Sequence, residues 1–355
     1  MTGTSFAGSW TGVGSMPGDD SFESARIVVG ECSLPALPEL PSRGPGSDLV
    51  GRTAGLLEGF TVSAVPSGWQ LTDHPGIDHR RAVSWLGQDL DAFEQACLTH
   101  QGWAKVQVCG PWTLAARIER ASGQALLRDH GARRDLVTAL EHAVTLHVRD
   151  VQRRLPAGVE LLVQVDEPMV DQVLLGRVPT ASGWATYRSV DKAEVRSGLS
   201  AVVEAIRSAG ATPIVHSCSD EPPLELFLEA GFAGLSFDQR VLAPSNVDLL
   251  AEAVENGVVL IPGVMGVEDA PVSTNLTKGG RSAPPMSEVL STVSGVQRWW
   301  SAMGFTDRSP ADNLALSPTC GLAGASPARV RVVLSRLQQM MTVLREDPDG
   351  DHATQ

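Results

Sequence analysis

One pattern constrains this chain more than any other: eight short apolar runs recur along its 355 residues, and longer amphipathic stretches lie between them. The β-like runs fall at about 10–15, 33–38, 104–109, 159–165, 212–215, 233–237, 257–262 and 313–317. Helical periodicity appears at about 20–30, 79–99, 113–127, 133–154, 191–209, 223–230, 246–255, 286–302 and 326–345. Strands that alternate with helices pair in parallel and are covered on the outside, and eight such units favour a closed (β/α)8 TIM barrel over an open sheet. The expected fold class is therefore α/β, with a single barrel domain over 1–345 and a polar, disordered tail over 346–355. The Gly- and Pro-rich region 40–78 carries one further β-like run, GFTVSAVPSGW, expected to be a hairpin-like excursion after the second strand. In the last helical stretch Ser326 suits the N-cap and Pro327 the first helical position.

Composition narrows the function. A formal charge of −13 opposes binding to a polyanion, so nucleic acid and anionic membrane surfaces are poor partners. No run reaches the roughly 18 apolar residues of a membrane helix, and the N-terminus has neither a basic nor an apolar leader segment; a cytoplasmic protein is expected. Cys32, Cys97, Cys109, Cys218 and Cys320 are odd in number and widely spread, which suits reduced thiols rather than a disulfide framework.

A (β/α)8 barrel builds its active site at the C-terminal ends of its strands. Those ends carry Ser15, Glu39, Asp166, His216 with Cys218, Asp238 and Cys320. Residues two apart on extended backbone face the same way, so His216 and Cys218 can serve one ion. Two thiolates, an imidazole and a carboxylate, Cys218, Cys320, His216 and Asp238, suit tetrahedral Zn(II). Each piece also has an ordinary reading. Cys320 is a small residue of the kind often buried, Asp238 suits the cap of a following turn, and Asp166-Glu167-Pro168 suits a solvated loop start. His74, His79, His130, His142 and His147 read as surface or capping residues, Cys32, Cys97 and Cys109 as core, Trp299-Trp300 as packing, and Asp89 to Glu94 as a solvated helix face.

Taken in order, the motifs resemble the C-terminal catalytic barrel of the cobalamin-independent methionine synthase family. The matching pieces are GSMP (14–17), SDLVGRTAGLLEGFTVSAVPSGWQ (47–70), GPWTL (110–114), QVDEPMV (164–170), HSC (216–218), IPGV (261–264) and PTCGL (318–322). The resemblance implies zinc on His216, Cys218 and Cys320, with Asp238 where the family has a longer glutamate. It implies that Ser15, Glu39 and Asp166 bind the amino-acid part of homocysteine, and that a methyl group passes to its sulfur to give methionine.

The departures concern the methyl donor. A residue that packs on the pterin in the family aligns with Arg117, and the histidine that protonates the departing folate aligns with Glu268, the candidate acid here. The length leaves no room for the family's second barrel, so the donor is expected to be either a folate or a methylated corrinoid protein. The alternatives are a corrinoid-dependent methyltransferase acting on another thiol, and a non-catalytic, zinc-stabilised barrel that binds an amino acid.

Overall fold

The computed structural model describes residues 5–266 and 286–347, and Glu268 and residues 348–355 lie outside the described residues. Six parallel strands form one sheet in the order β3 (Trp103–Cys109), β5 (Glu160–Asp166), β6 (Thr212–Ser217), β7 (Gly234–Asp238), β8 (Val259–Met265) and β9 (Ser317–Pro318). This curved half-barrel is the core of a TIM-barrel-like α/β fold. The first two expected strands are not regular ladders. Segments 10–16 and 33–39 instead make isolated parallel bridges, Trp10 to Leu316, Ser15 to Glu39 and Ala36 to Lys105, which connect β3 round to the segment that leads into β9. Hydrogen bonds from Leu34 N to Trp10 O and from Leu37 N to Lys105 O follow the same path.

Helices α1 (Ser21–Glu31), α3 (Ile77–Ala96), α5 (His130–Arg154), α7 (Lys192–Ser208), α8 (Leu224–Ala230), α9 (Val247–Glu255), α10 (Met286–Ala302) and α11 (Pro327–Glu346) fall close to their expected places. Capping explains two of the starts. Asp20 accepts from Phe22 N and Glu23 N ahead of α1, and Ser326 accepts from Arg329 N ahead of α11, with Pro327 at the first position. Two short helices, α2 (Leu49–Ala54) and α6 (Val170–Leu175), were not expected.

The region 40–78 holds an antiparallel pair, β1 (Val62–Val65) with β2 (Gly68–Leu71). The helix expected over 113–127 is corrected to α4 (Pro111–Arg117), because Ile118 turns to extended backbone and starts β4 (Ile118–Glu119), a parallel neighbour of β2. Ile118 is fully buried, so its side chain gains more under the hairpin than a further helical turn would give.

The strand register sorts side chains into two cores. Val106, Val108, Leu161, Val163, Val165, Val215 and Leu235 face the helices and join the large outer core. Leu162, Ile214, Val259, Ile261 and Ala315 face inward and pack with Phe6 and Leu34 as an apolar plug. Inward positions nearer the C-terminal rim are polar: Lys105 and Gln107 on β3, Gln164 and Asp166 on β5, His216 on β6 and Ser236 on β7, all buried.

Two readings of charged residues are corrected. Asp89 is not on a solvated face; it is 1% exposed and accepts from Arg43 Nη2 at 2.7 and 2.8 Å and from Arg52 Nη1 at 2.5 Å. His147 is buried on α5, and burial, with the charge of Arg52 adding to it, pushes its pKa down to about 4. The unfolded chain therefore takes up a proton near pH 6.5 that the folded chain refuses until about pH 4. Stability is expected to fall by roughly 3 kcal/mol as the pH drops through that window. The variant His147→Leu should flatten this slope in denaturant titrations run across it; parallel profiles for both proteins would contradict the assignment.

Candidate metal centre

The rim of the half-barrel brings three of the four expected ligands together. Suitable donor atoms of His216, Cys218 and Cys320 all lie within 4.8 Å of one another. His216 ends the inward row of β6, Cys218 follows two residues later, and Cys320 arrives just beyond β9. Gly321 permits that approach, because a Cβ at this position would sit 1.9 Å from Ser15 Oγ. Leu322 N donates to Ser15 O at 2.8 Å, so the cysteine-bearing loop is tied to the rim segment that carries Ser15.

The electrostatics of the cluster fit a soft cation. His216 Nδ1 lies 2.9 Å from Ser236 Oγ, whereas its Nε2 is buried and has no hydrogen-bond partner. With Nδ1–H donating to Ser236, Nε2 keeps its lone pair for a metal, and the serine fixes the ring in the manner of an outer-shell partner. The two thiol sulfurs are 3.5 Å apart. The neighbouring Cys218 thiol and then the His216 ring pull the Cys320 thiol down to about 4, while the shared proton and burial push Cys218 well up. The direction at Cys320 favours the thiolate, the form that binds metal. An unpaired buried imidazole nitrogen beside two sulfurs is a donor set suited to Zn(II).

Asp238 is the correction. It lies at the end of β7, yet its carboxylate is not in the cluster. Oδ1 accepts from Arg240 N at 2.9 Å and Oδ2 from Arg240 Nη2 at 2.8 Å, and Arg240 Nη2 also donates to Thr319 Oγ1 at 3.3 Å. The short aspartate side chain bends back to its own backbone two residues on, as aspartates do in turns. It caps the turn, as one reading of its position suggested. The variant Asp238→Asn is accordingly expected to keep its zinc content; loss of more than about half the metal on purification would restore Asp238 as a ligand.

Beside the cluster, on the same rim, lie the other expected site residues. Asp166 is paired in register with His216, and Glu39 bridges to Ser15. Both carboxyl groups are buried, and burial pushes both upward; the charge of Glu39 adds to the rise at Asp166, and Arg52 and Lys105 oppose the rise at Glu39. Glu167 points the other way. It is fully buried and accepts from Trp112 N at 2.9 Å, Thr113 N at 2.9 Å and Thr113 Oγ1 at 2.7 Å, which ties α4 to the end of β5. The sequence reading missed Lys105, Gln107 and Gln164. Their signal was present: three long polar side chains at inward positions of two strands that otherwise read as apolar.

By sequence, no family model and no curated protein matches the chain. By structure, it resembles a B12-independent methionine synthase from Shewanella sp. W3-18-1 in complex with selenomethionine, with a TM-score of 0.59 and 13% identity over 95% of this chain and 98% of that one. It also resembles a methyltransferase from Methanosarcina mazei, with a TM-score of 0.54 and 13% identity over 90% of this chain and 83% of that one. At such identities the likeness is one of fold. Among the described residues no helix is long and apolar enough to cross a membrane.

Proposed function

We propose that this protein is a zinc-dependent methyltransferase that methylates a small thiol, with homocysteine as acceptor and methionine as product. The observation that carries the reading is the convergence of His216, Cys218 and Cys320 within 4.8 Å, with a buried, unpartnered imidazole nitrogen among them. Zn(II), when bound, holds an alkyl thiol as its thiolate at neutral pH and so supplies the nucleophile.

The chain's own residues do the rest. His216, Cys218 and Cys320 contribute three donors, which leaves a tetrahedral ion one position for a fourth. Asp166 and Glu39 offer buried negative charge to the acceptor's ammonium, and Ser15 offers its hydroxyl or backbone N–H to the carboxylate. Selenomethionine, a product-like amino acid, occupies the Shewanella enzyme of similar fold, which supports an amino-acid acceptor here. The isolated bridges between β3 and β9 support a closed eightfold ring as the frame of the single catalytic barrel.

For the donor, Arg117 at the exposed C-terminal end of α4 presents no aromatic face to a pterin, which favours a methylated corrinoid protein over a folate. Glu268 remains the proposed acid for a folate donor.

The test is zinc-edge X-ray absorption on purified protein, with and without L-homocysteine. The expected result is about one equivalent of zinc with about two sulfur neighbours, rising to about three with homocysteine. Protein without zinc, or a sulfur number indifferent to homocysteine, would sink the reading.

A further inference from the structure

Below the metal-ligating cluster lies a polar layer to which thiol activation assigns no task. Lys105 is 1% exposed, and its Nζ donates to Gly12 O at 2.7 Å, to Val13 O at 3.0 Å and to Gln164 Oε1. Gln164, also 1% exposed, donates from Nε2 to Val13 O at 2.9 Å and to Asp166 Oδ1 at 2.7 Å. Gln107 adds a third donor to the same carbonyl, with Nε2 at 3.3 Å from Val13 O.

Two physical points follow. A buried ammonium is expensive, and apolar residues of similar volume would fill the barrel at lower cost, so its charge must compensate something. The nearby opposite charges are Asp166 and Glu39, which act on Lys105 against the burial that pushes it down to about 8. Secondly, a lysine can only donate. Its contact therefore forces Gln164 to present Oε1 to Lys105 and Nε2 to Asp166, so the amide has one orientation rather than two. Asp166 Oδ1 is thereby occupied. Asp166 Oδ2 and the Glu39 carboxylate take no hydrogen bond from the described residues, and each residue keeps 6% exposure.

We propose that Lys105 and Gln164 are positioning residues that make the site selective for an ammonium-bearing thiol: Lys105 fixes the Gln164 amide, and Gln164 fixes Asp166 so that its second oxygen and Glu39 meet the acceptor's α-ammonium. The proposal rests on the acceptor reading given above. The same layer clamps Val13 O, two residues before Ser15, so both ends of the amino-acid group are held by one network. A simple alkyl thiol would use the metal ligands and gain nothing from the layer.

The experiment is calorimetric titration of zinc-loaded wild-type protein and the variants Gln164→Met and Gln164→Glu with two ligands. One is L-homocysteine; the other is 4-sulfanylbutanoate, which keeps the thiol and carboxylate and lacks the α-ammonium. Both variants are expected to bind L-homocysteine at least about tenfold more weakly and 4-sulfanylbutanoate within about twofold of wild type, with unchanged zinc content. Gln164→Glu keeps an acceptor for Lys105 and so guards against misfolding of the methionine variant. Equal weakening of both ligands would mean a merely structural layer, and no weakening of either would mean no role; both outcomes overturn the proposal. Wild-type protein that binds neither ligand would overturn the acceptor reading itself, and this proposal with it.

Discussion

Replacement of Cys320 or Cys218 by serine is expected to strip the zinc, with metal content falling from about one equivalent to below about a tenth after dialysis. Among the described residues His216, Cys218 and Cys320 are the donors that converge within 4.8 Å, and the one carboxylate of the expected ligand set, Asp238, is held by Arg240. A serine hydroxyl is a poor ligand for zinc, so either variant leaves two effective protein donors, too few for a tetrahedral site. Because the cluster sits at the rim, the fold should survive: circular dichroism and the thermal transition of the metal-free variants should match those of metal-free wild type. Retention of zinc by both variants would show that the metal is held elsewhere. The loss of thiol binding should accompany the loss of metal, since the fourth position goes with it.

The second large effect concerns stability. Glu167→Ala is expected to cost about 3–5 kcal/mol, read as a lower denaturant midpoint at unchanged slope. Three donors, Trp112 N, Thr113 N and Thr113 Oγ1, converge on this fully buried carboxylate. Truncation leaves all three without a partner in a place water does not reach, and it opens a cavity as well. Gly110 shows how closely the group is packed, since a Cβ there would lie 2.3 Å from Glu167 Oε1. Glu167→Gln keeps the volume and one acceptor oxygen, so its cost should be smaller. A cost below about 1 kcal/mol for the alanine variant would mean that α4 is anchored by other contacts.

These two residues, Cys320 and Glu167, mark where sequence patterns stop. Of the acidic pair Asp166-Glu167, the sequence marks Asp166 as a site carboxylate and leaves Glu167 as part of a solvated loop start. Extended backbone sends neighbours to opposite faces, so Asp166 enters the barrel and Glu167 ties the outside of the sheet to α4. Asp238 sits in the expected place at a strand end but turns back onto Arg240 N, a choice between two local partners that its position alone leaves open. Asp89 and His147 lie on helices whose periodicity looks solvated, and only the packing of α2 and α3 around Arg52, and of α5 against the sheet, buries them.

Local physics governs the features that are legible along the chain. Apolar runs of strand length set five of the six parallel strands, the run at 313–317 meeting β9 at Ser317 alone, and helical periodicity with Asp20, Ser326 and Pro327 as start signals set most helices. The His-x-Cys spacing placed two candidate ligands, His216 and Cys218, on one face. The tertiary structure decided what depends on partners distant in the chain: the arrival of Cys320 beside Cys218 across 102 residues, the capture of Asp238 by a turn, and the chain of hydrogen bonds from Lys105 through Gln164 to Asp166. The reason is physical. Backbone propensity and hydrophobic periodicity act over a few residues, whereas the cost of burying a charge or a lone pair is settled only by whichever groups the fold brings within hydrogen-bonding distance.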